Sequence, residues 1–166
     1  MRDIFYGTSG PHDASIVLVG EAWGAEEDAA HSPFIGQAGQ ELNRILADAG
    51  LSRDALLVTN VCAVRPQHNE MWSLFGKPGE APELRGLHPT ALVLQELERL
   101  QAQIAAHPRA LVIACGNYAL WALSTCTGAS TSSEAGGRKV PTGIGNYRGS
   151  QLYTLTGTPL LPIVHP

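Results

Sequence analysis

Apolar residues in this chain recur in two alternating rhythms. Short, largely β-branched runs fall at residues 15–19, 55–60, 110–114 and 160–164, each the length of a buried strand. Between them the apolar residues return every three or four positions. Residues 37–49 place Leu42, Ile45, Leu46 and Ala49 on one helical face, with Gly50 as the stop signal. Residues 89–106 carry Leu92, Val93, Leu97, Leu100 and Ile104 at helical spacing, and Pro108 follows. These side chains are assigned to the core. A third helix, residues 116–123, is entered directly from the strand that ends at Cys115. The order βαβαβαβ predicts an α/β fold, a three-layer αβα sandwich with a central, mainly parallel four-stranded sheet, as a single domain over residues 1–166.

Two segments break the rhythm. Residues 67–87 are rich in Pro, Gly and charge, and residues 125–150 in Ser, Thr and Gly. Both exceed the usual connection in a compact domain, which marks them as functional loops or mobile segments rather than core.

Composition narrows the class. A chain of 166 residues with 44% hydrophobic residues supports one domain with a real core. No run approaches the roughly 20 apolar residues of a membrane helix, and the start Met1-Arg2-Asp3-Ile4-Phe5 does not read as a signal peptide. A cytoplasmic protein without membrane contact is expected. Cys62, Cys115 and Cys126 sit singly in or beside apolar segments and read as reduced core thiols, so no metal is expected. The net charge of -4 argues against a generic polyanion binder. Arg65, Arg138, Lys139 and Arg148 are available for a local basic strip.

Parallel sheets bind ligands beyond the carboxyl ends of their strands. Here those ends deliver Gly20-Glu21-Ala22-Trp23-Gly24, Thr59-Asn60-Val61, Gly116-Asn117 and His165-Pro166, with His31-Ser32-Pro33-Phe34-Ile35-Gly36-Gln37-Ala38-Gly39 following the first. Glycine-rich loops let backbone amides approach a ligand. An Asn amide matches a base edge, a Phe face stacks on a base, and a His stabilises an oxyanion. Together they describe a nucleobase pocket.

These residues resemble the uracil-DNA glycosylase superfamily, nearest its family 4 branch. That branch's GEAPGxxED and PFVGxAG motifs compare with Gly20-Glu21-Ala22-Trp23-Gly24-Ala25-Glu26-Glu27-Asp28 and Pro33-Phe34-Ile35-Gly36-Gln37-Ala38-Gly39. Its TNxxxxRP compares with Thr59-Asn60-Val61-Cys62-Ala63-Val64-Arg65-Pro66, and its RG and terminal HP with Arg148-Gly149 and His165-Pro166. The resemblance runs from about residue 15 to the last residue.

The resemblance implies a metal-free hydrolysis: a nucleotide is flipped out of DNA and its N-glycosidic bond is cut, leaving an abasic site. It implies Phe34 stacked on the base, Asn60 reading its N3 and O4 edge, and amides near Glu21 and Ala22 contacting a carbonyl or orienting water. His165 belongs near the base O2, where a donor helps the anionic leaving base more than the ground state. Glu21 is the candidate for positioning or activating water, because Ala22 stands where the superfamily's most active branch has Asp. Glu27 borders the C5 side. Gly24 stands where that branch has a Tyr that excludes a methyl, so the pocket is expected to tolerate a larger base. The implied substrate is uracil or a modified pyrimidine in single-stranded or locally opened DNA, with the protein a monomer. A glycosylase for bulky modified pyrimidines in viral DNA and a catalytically silent DNA-binding homologue are the alternatives.

Taken singly, each residue has an ordinary role. Gly20 and Gly24 suit a tight turn, Glu21 and Asp28 a helix start, Phe34 the core, Asn60 a cap, and His165 a frayed end. The sequence also departs from the family. Trp23 replaces the usual Pro, as a wall against the base or as part of the core. The family's four iron–sulfur cysteines have no counterpart, so no cofactor is expected, and Met71, Trp72 and Phe75 are expected to pack in the cluster's place or to contact DNA. The family continues past HP with a wedge loop and a last helix, whereas this sequence stops at Pro166; without a wedge, single strands are the expected substrate. Arg85-Gly86-Leu87-His88-Pro89 falls where one branch carries a nucleophilic His, which makes His88 a further candidate beside its plainer role at a helix start.

Overall fold

Successive strand residues bury toward opposite faces, and that alternation organises the whole fold. The computed structural model of the protein describes residues 3–166; Met1 and Arg2, part of the start read above for a leader, lie outside the described residues. In chain order the elements are β1 (Ile16–Gly20), α1 (Ala25–Ala30), α2 (Gln37–Asp48), β2 (Leu57–Asn60), α3 (Ala91–Ala105), β3 (Leu111–Cys115), α4 (Asn117–Leu123), β4 (Gly128–Thr131), β5 (Lys139–Thr142), α5 (Ile144–Tyr147), β6 (Leu152–Tyr153) and β7 (Pro159–Ile163). Single 3-10 turns occur at Arg53–Ala55, Gln67–Asn69 and Met71–Leu74.

The main sheet has the order β2-β1-β3-β7-β6, parallel except for the edge strand β6. Val17, Val19, Leu57, Val112, Ala114 and Leu160 point into one core layer, with Val93, Leu97, Leu100 and Ile104 of α3 and most of α4. Leu18, Val58, Ile113 and Cys115 point into the other, against Leu42 and Leu46 of α2. The α/β sandwich read from the sequence is therefore present.

Several expectations need correction. The sheet has five strands rather than four, because Leu152–Tyr153 adds an antiparallel edge too short to show an alternation. The segment 125–150 holds a separate β4–β5 hairpin and α5, and α1 interrupts the first glycine-rich loop. All four β4 residues are exposed, so no apolar pattern could announce it. Leu92 is exposed at 39%, Ala49 is exposed and Ile45 is half-buried. On α3 the buried face centres on Val93, Leu97, Leu100 and Ile104, one residue round from Leu92. Gly50 does end α2, in the left-handed conformation (φ 73°), with the Leu51 amide donating to the Leu46 carbonyl at 2.8 Å.

The same face of α3 buries Glu96 and Gln103, which apolar periodicity did not flag. Arg99 Nε donates to Glu96 Oε2 at 2.9 Å, and its Nη2 donates to the carbonyls of Asn60 at 2.9 Å and Val61 at 3.1 Å. Glu96 Oε2 also accepts the Ala63 amide at 2.7 Å, and Gln103 Oε1 accepts the Thr59 hydroxyl at 2.8 Å. A buried ion pair thus ties α3 to the turn that leaves β2. Cys62 and Cys115 are buried free thiols, pushed above the usual thiol range chiefly by that burial. Among the described residues no helix is long and apolar enough to cross a membrane.

Replacing Arg99 with Met strands the Glu96 carboxylate in the core and is expected to lower the unfolding free energy by about 3 kcal/mol or more, read by urea denaturation. The double variant Glu96→Leu, Arg99→Met should recover a large part of that loss. Equal losses in both would locate the stabilisation in the carbonyl contacts instead of the ion pair.

Candidate functional site

Parallel register brings four strand ends to one edge. Gly20 pairs with Asn60, Val19 with Ala114 and Cys115 with Ile163. The chain then continues in step: the Val61 amide donates to the Gly20 carbonyl at 2.9 Å and the Gly116 amide to the Ile163 carbonyl at 2.9 Å. Glu21, Asn60, Gly116 and His165 therefore share one rim, as the strand reading requires.

Two glycines make that rim possible. A β-carbon at Gly20 would collide with both the Phe34 ring and the Asn60 amide oxygen, so only glycine lets these two side chains lie together over the end of β1. Gly116 has φ 93°, and a β-carbon there would sit 2.5 Å from Glu21 Oε1 and 3.3 Å from the His165 β-carbon. The Glu21 carboxyl and the His165 β-carbon thus flank Gly116.

A cleft of about 370 Å³ opens at this rim, lined by Glu21, Ala22, Trp23, Gly24, Glu27 and His165 with Pro66, Asn69 and Met71 across from them. Phe34, 4% exposed, and Asn60, 2% exposed, form the packed ground beneath the loop. The Phe34 ring stacks with His165 at 6.0 Å between centroids and 26° between planes. His165 itself is exposed, and its Nδ1 lies 3.0 Å from the Pro166 carbonyl, a pairing in which Nδ1 donates. A larger, mostly apolar cleft of about 630 Å³ lies near the end of α3 and the β6–β7 turn. Its Arg109 is committed to the carbonyls of Ala14, Gln103 and Ile104.

Two rim carboxylates have opposite environments. Burial drives the Glu21 carboxyl above its ordinary range, although the His165 charge and the Tyr118 amide, which donates to Oε1 at 3.2 Å, pull it down. A carboxylate with raised proton affinity is a stronger acceptor for a proton from water. Burial also penalises the charged form of Glu27, but amide hydrogen bonds outweigh it and hold that carboxyl below the usual range. Glu27 Oε2 accepts the Gly24 amide at 3.1 Å, and Oε1 accepts those of Ile35 at 3.0 Å and Gly36 at 2.9 Å. Glu27 thus lines the cleft while tying its two glycine-rich loops together.

The other candidates are placed as follows. The Trp23 indole is 2% exposed and packs on Tyr6 at 5.8 Å and edge-on to His31 at 5.7 Å, with its Nε1 buried and unpaired among the described residues. Gly24 has little free space, since a β-carbon would lie 2.8 Å from Glu27 Oε2. Arg65 is exposed and donates to Asn69 Oδ1 at 2.8 Å. Arg138 is half-buried: it donates to the Phe75 carbonyl at 2.9 Å and covers the Trp72 ring at 5.3 Å. Lys139 is half-buried in β5, and Arg148 is exposed just after α5. His88 is buried outside the cleft, with Nδ1 at 2.8 Å from the Ala81 carbonyl. Met71 and Phe75 are buried, the latter against Tyr118 and Trp121 at 5.3 and 5.4 Å. Asn117, read as a rim residue, accepts the Ile144 amide at 2.9 Å. Among the described residues no group of three His, Cys, Asp or Glu is placed to hold a metal ion.

Comparison with known proteins adds the following. The family model described as "Uracil DNA glycosylase superfamily" matches residues 7–166. The sequence is 47% identical over 60 residues to a type-4 uracil-DNA glycosylase of Archaeoglobus fulgidus, a stretch covering 36% of this chain and 30% of that protein. It is 42% identical over 57 residues to the type-4 uracil-DNA glycosylase of Thermotoga maritima, covering 34% of this chain and 30% of that protein. It is 46% identical over 54 residues to that of Pyrobaculum aerophilum, covering 32% and 28%. These alignments each span less than a third of the relative's length.

The Glu21 environment has a measurable sign. Its carboxyl is raised in the folded protein, so its contribution to stability is full below the ordinary carboxyl range and is lost as pH rises through the raised value. Glu21→Gln should therefore unfold at a higher temperature than wild type at neutral pH, with the difference shrinking toward pH 4. A difference that does not change with pH would show that burial of the charge is not what governs this carboxyl.

Proposed function

The chain belongs to the uracil DNA glycosylase superfamily, and from that premise we propose that it is a monofunctional DNA glycosylase, which flips uracil out of DNA and hydrolyses its N-glycosidic bond to leave an abasic site. The observation that carries this reading is the pairing of Glu21 and His165 across Gly116, beside the Phe34 ring and the Asn60 amide.

Each group has one task in that reaction. Phe34 stacks on the flipped base, and Asn60 offers a paired donor and acceptor to its N3 and O4 edge. The Ala22 amide region approaches a base carbonyl or orients water. As the bond to the sugar lengthens, charge builds on the base oxygen and positive charge on the sugar. His165, placed near O2, stabilises the first by hydrogen bonding. Glu21 holds the attacking water and takes its proton as the water adds to the sugar carbon. The departing base leaves as an anion and is protonated afterwards.

The cleft supports uracil over a larger base. Trp23 and Gly24, which pointed to bulkier pyrimidines, both have packing reasons: the indole fills space against Tyr6 and His31, and Gly24 makes room for Glu27. Exposed Arg65 and Arg148 are suited to phosphate contacts. Single-stranded or locally opened DNA costs the least to engage, because its bases are already unstacked, and one copy of the chain carries the full set of site residues. A cytoplasmic location agrees with this role.

The test is incubation with single-stranded and duplex oligonucleotides carrying uracil, cytosine or a bulky 5-substituted cytosine, followed by alkali and mass spectrometry of released base. Uracil release, faster from single strands, is expected. Replacing His165 with Ala should cut kcat by about a hundredfold or more while DNA binding persists. Release of the 5-substituted base alone would redirect the reading to modified-base removal. Retained DNA binding without any release would make the protein a silent homologue.

A further inference from the structure

The segment that carries Phe34 is fixed by a side chain with no part in the chemistry above. Arg53 lies in the short turn between α2 and β2. Its Nη1 donates to the Phe34 carbonyl at 2.6 Å and to Asn43 Oδ1 at 3.0 Å, and its Nη2 donates to the Pro33 carbonyl at 2.7 Å. The planar fork of a guanidinium matches two successive carbonyls, which an ammonium cannot do.

Phe34 needs such a hold. Its φ of 51° puts a bulky aromatic residue in the left-handed region, which side chains of this size rarely adopt unless their surroundings impose it. On the other side of the segment Glu27 receives the Ile35 and Gly36 amides. From below, Gly39 admits the Phe34 carbonyl where any β-carbon would collide with it. The segment is thus held between a cation on its carbonyls and an anion on its amides. The Arg53 hydrogen bonds reach no strand, and Arg53 lies outside both core layers.

We propose that Arg53 is a positioning residue, which sets the plane of the Phe34 ring for base stacking through the Pro33 and Phe34 carbonyls without itself touching the base. This rests on the glycosylase reading of the cleft. Stacking acts on the flipped base before and during bond cleavage, so a misplaced ring weakens binding rather than the chemical step. A merely structural role would change stability and leave the split between KM and kcat unmoved.

The experiment compares wild type, Arg53→Lys and Arg53→Gln, with Phe34→Leu as reference. The first readout is the NMR signal of the His165 ring protons, which the stacked Phe34 ring shifts. In Arg53→Gln it should move toward its position in Phe34→Leu, with Arg53→Lys between, while the methyl signals of Val17 and Leu57 in the opposite core layer stay in place. The second readout is steady-state kinetics on a uracil oligonucleotide. KM should rise about tenfold in Arg53→Gln with kcat little changed. Unchanged His165 signals and KM in a folded Arg53→Gln would overturn the proposal, as would loss of the Val17 and Leu57 signals in both Arg53 variants. An inert wild type whose His165 signal still depends on Arg53 would sink the glycosylase reading alone; an active wild type whose signal ignores Arg53 would sink the positioning role alone.

Discussion

The end of β1 has no room for a β-carbon, and the site is assembled around that absence. Gly20 lets the Phe34 ring and the Asn60 amide meet over the last turn of the sheet. Those two side chains come from different connections, one from the loop after α1 and the other from the end of β2. Any larger residue at Gly20 would push one of them away and separate the Phe34 ring from the Asn60 amide. Gly116 repeats the device one strand over, where it admits the Glu21 carboxyl and leaves His165 alongside. The sheet supplies the alignment and the two glycines supply the proximity.

Three buried or half-buried glutamates then separate by environment. Glu96 meets the Arg99 guanidinium and the Ala63 amide, so its charge is fully occupied in holding the turn after β2. Glu27 meets three backbone amides and is kept ionised as the brace between two loops. Glu21 receives a single amide at the wall of the cleft, and burial raises its proton affinity. Of Glu21 and Glu27, the two rim carboxylates, only Glu21 has its proton affinity raised. The chemistry of the rim is therefore decided by how many donors each carboxylate finds rather than by the residue type.

Arginine does the complementary work on carbonyls. Arg99 takes the Asn60 and Val61 carbonyls, and Arg53 takes those of Pro33 and Phe34. Each guanidinium fixes the backbone of one residue under the rim, Asn60 or Phe34, and neither lines the cleft beside Glu21. The cradle is thus stiffened from behind, where a fork of donors can satisfy carbonyls that the loop geometry leaves without strand partners.

Much of this was legible in the chain itself. Short β-branched runs located β1, β2, β3 and β7 to within two residues, helical spacing located α2 and α3, direct entry from the third strand located α4, and the order of motifs placed Glu21, Phe34, Asn60 and His165 at the strand-end rim. Those signals are local, because a strand or helix records its buried face in the spacing of its own side chains. Leu92, the β4–β5 hairpin and the β6 edge were not legible, since their burial or exposure depends on what packs beside them. The same holds for Trp23, whose indole turns to Tyr6 and His31, and for Glu27 and Arg53 as opposed clamps. The sequence by itself determined the strands, the helices and the residues that reach the rim. Only the tertiary structure decided which of them are free to act and which hold the others, because a side chain that grips a backbone carbonyl 19 or 39 residues away leaves no periodic trace in the sequence.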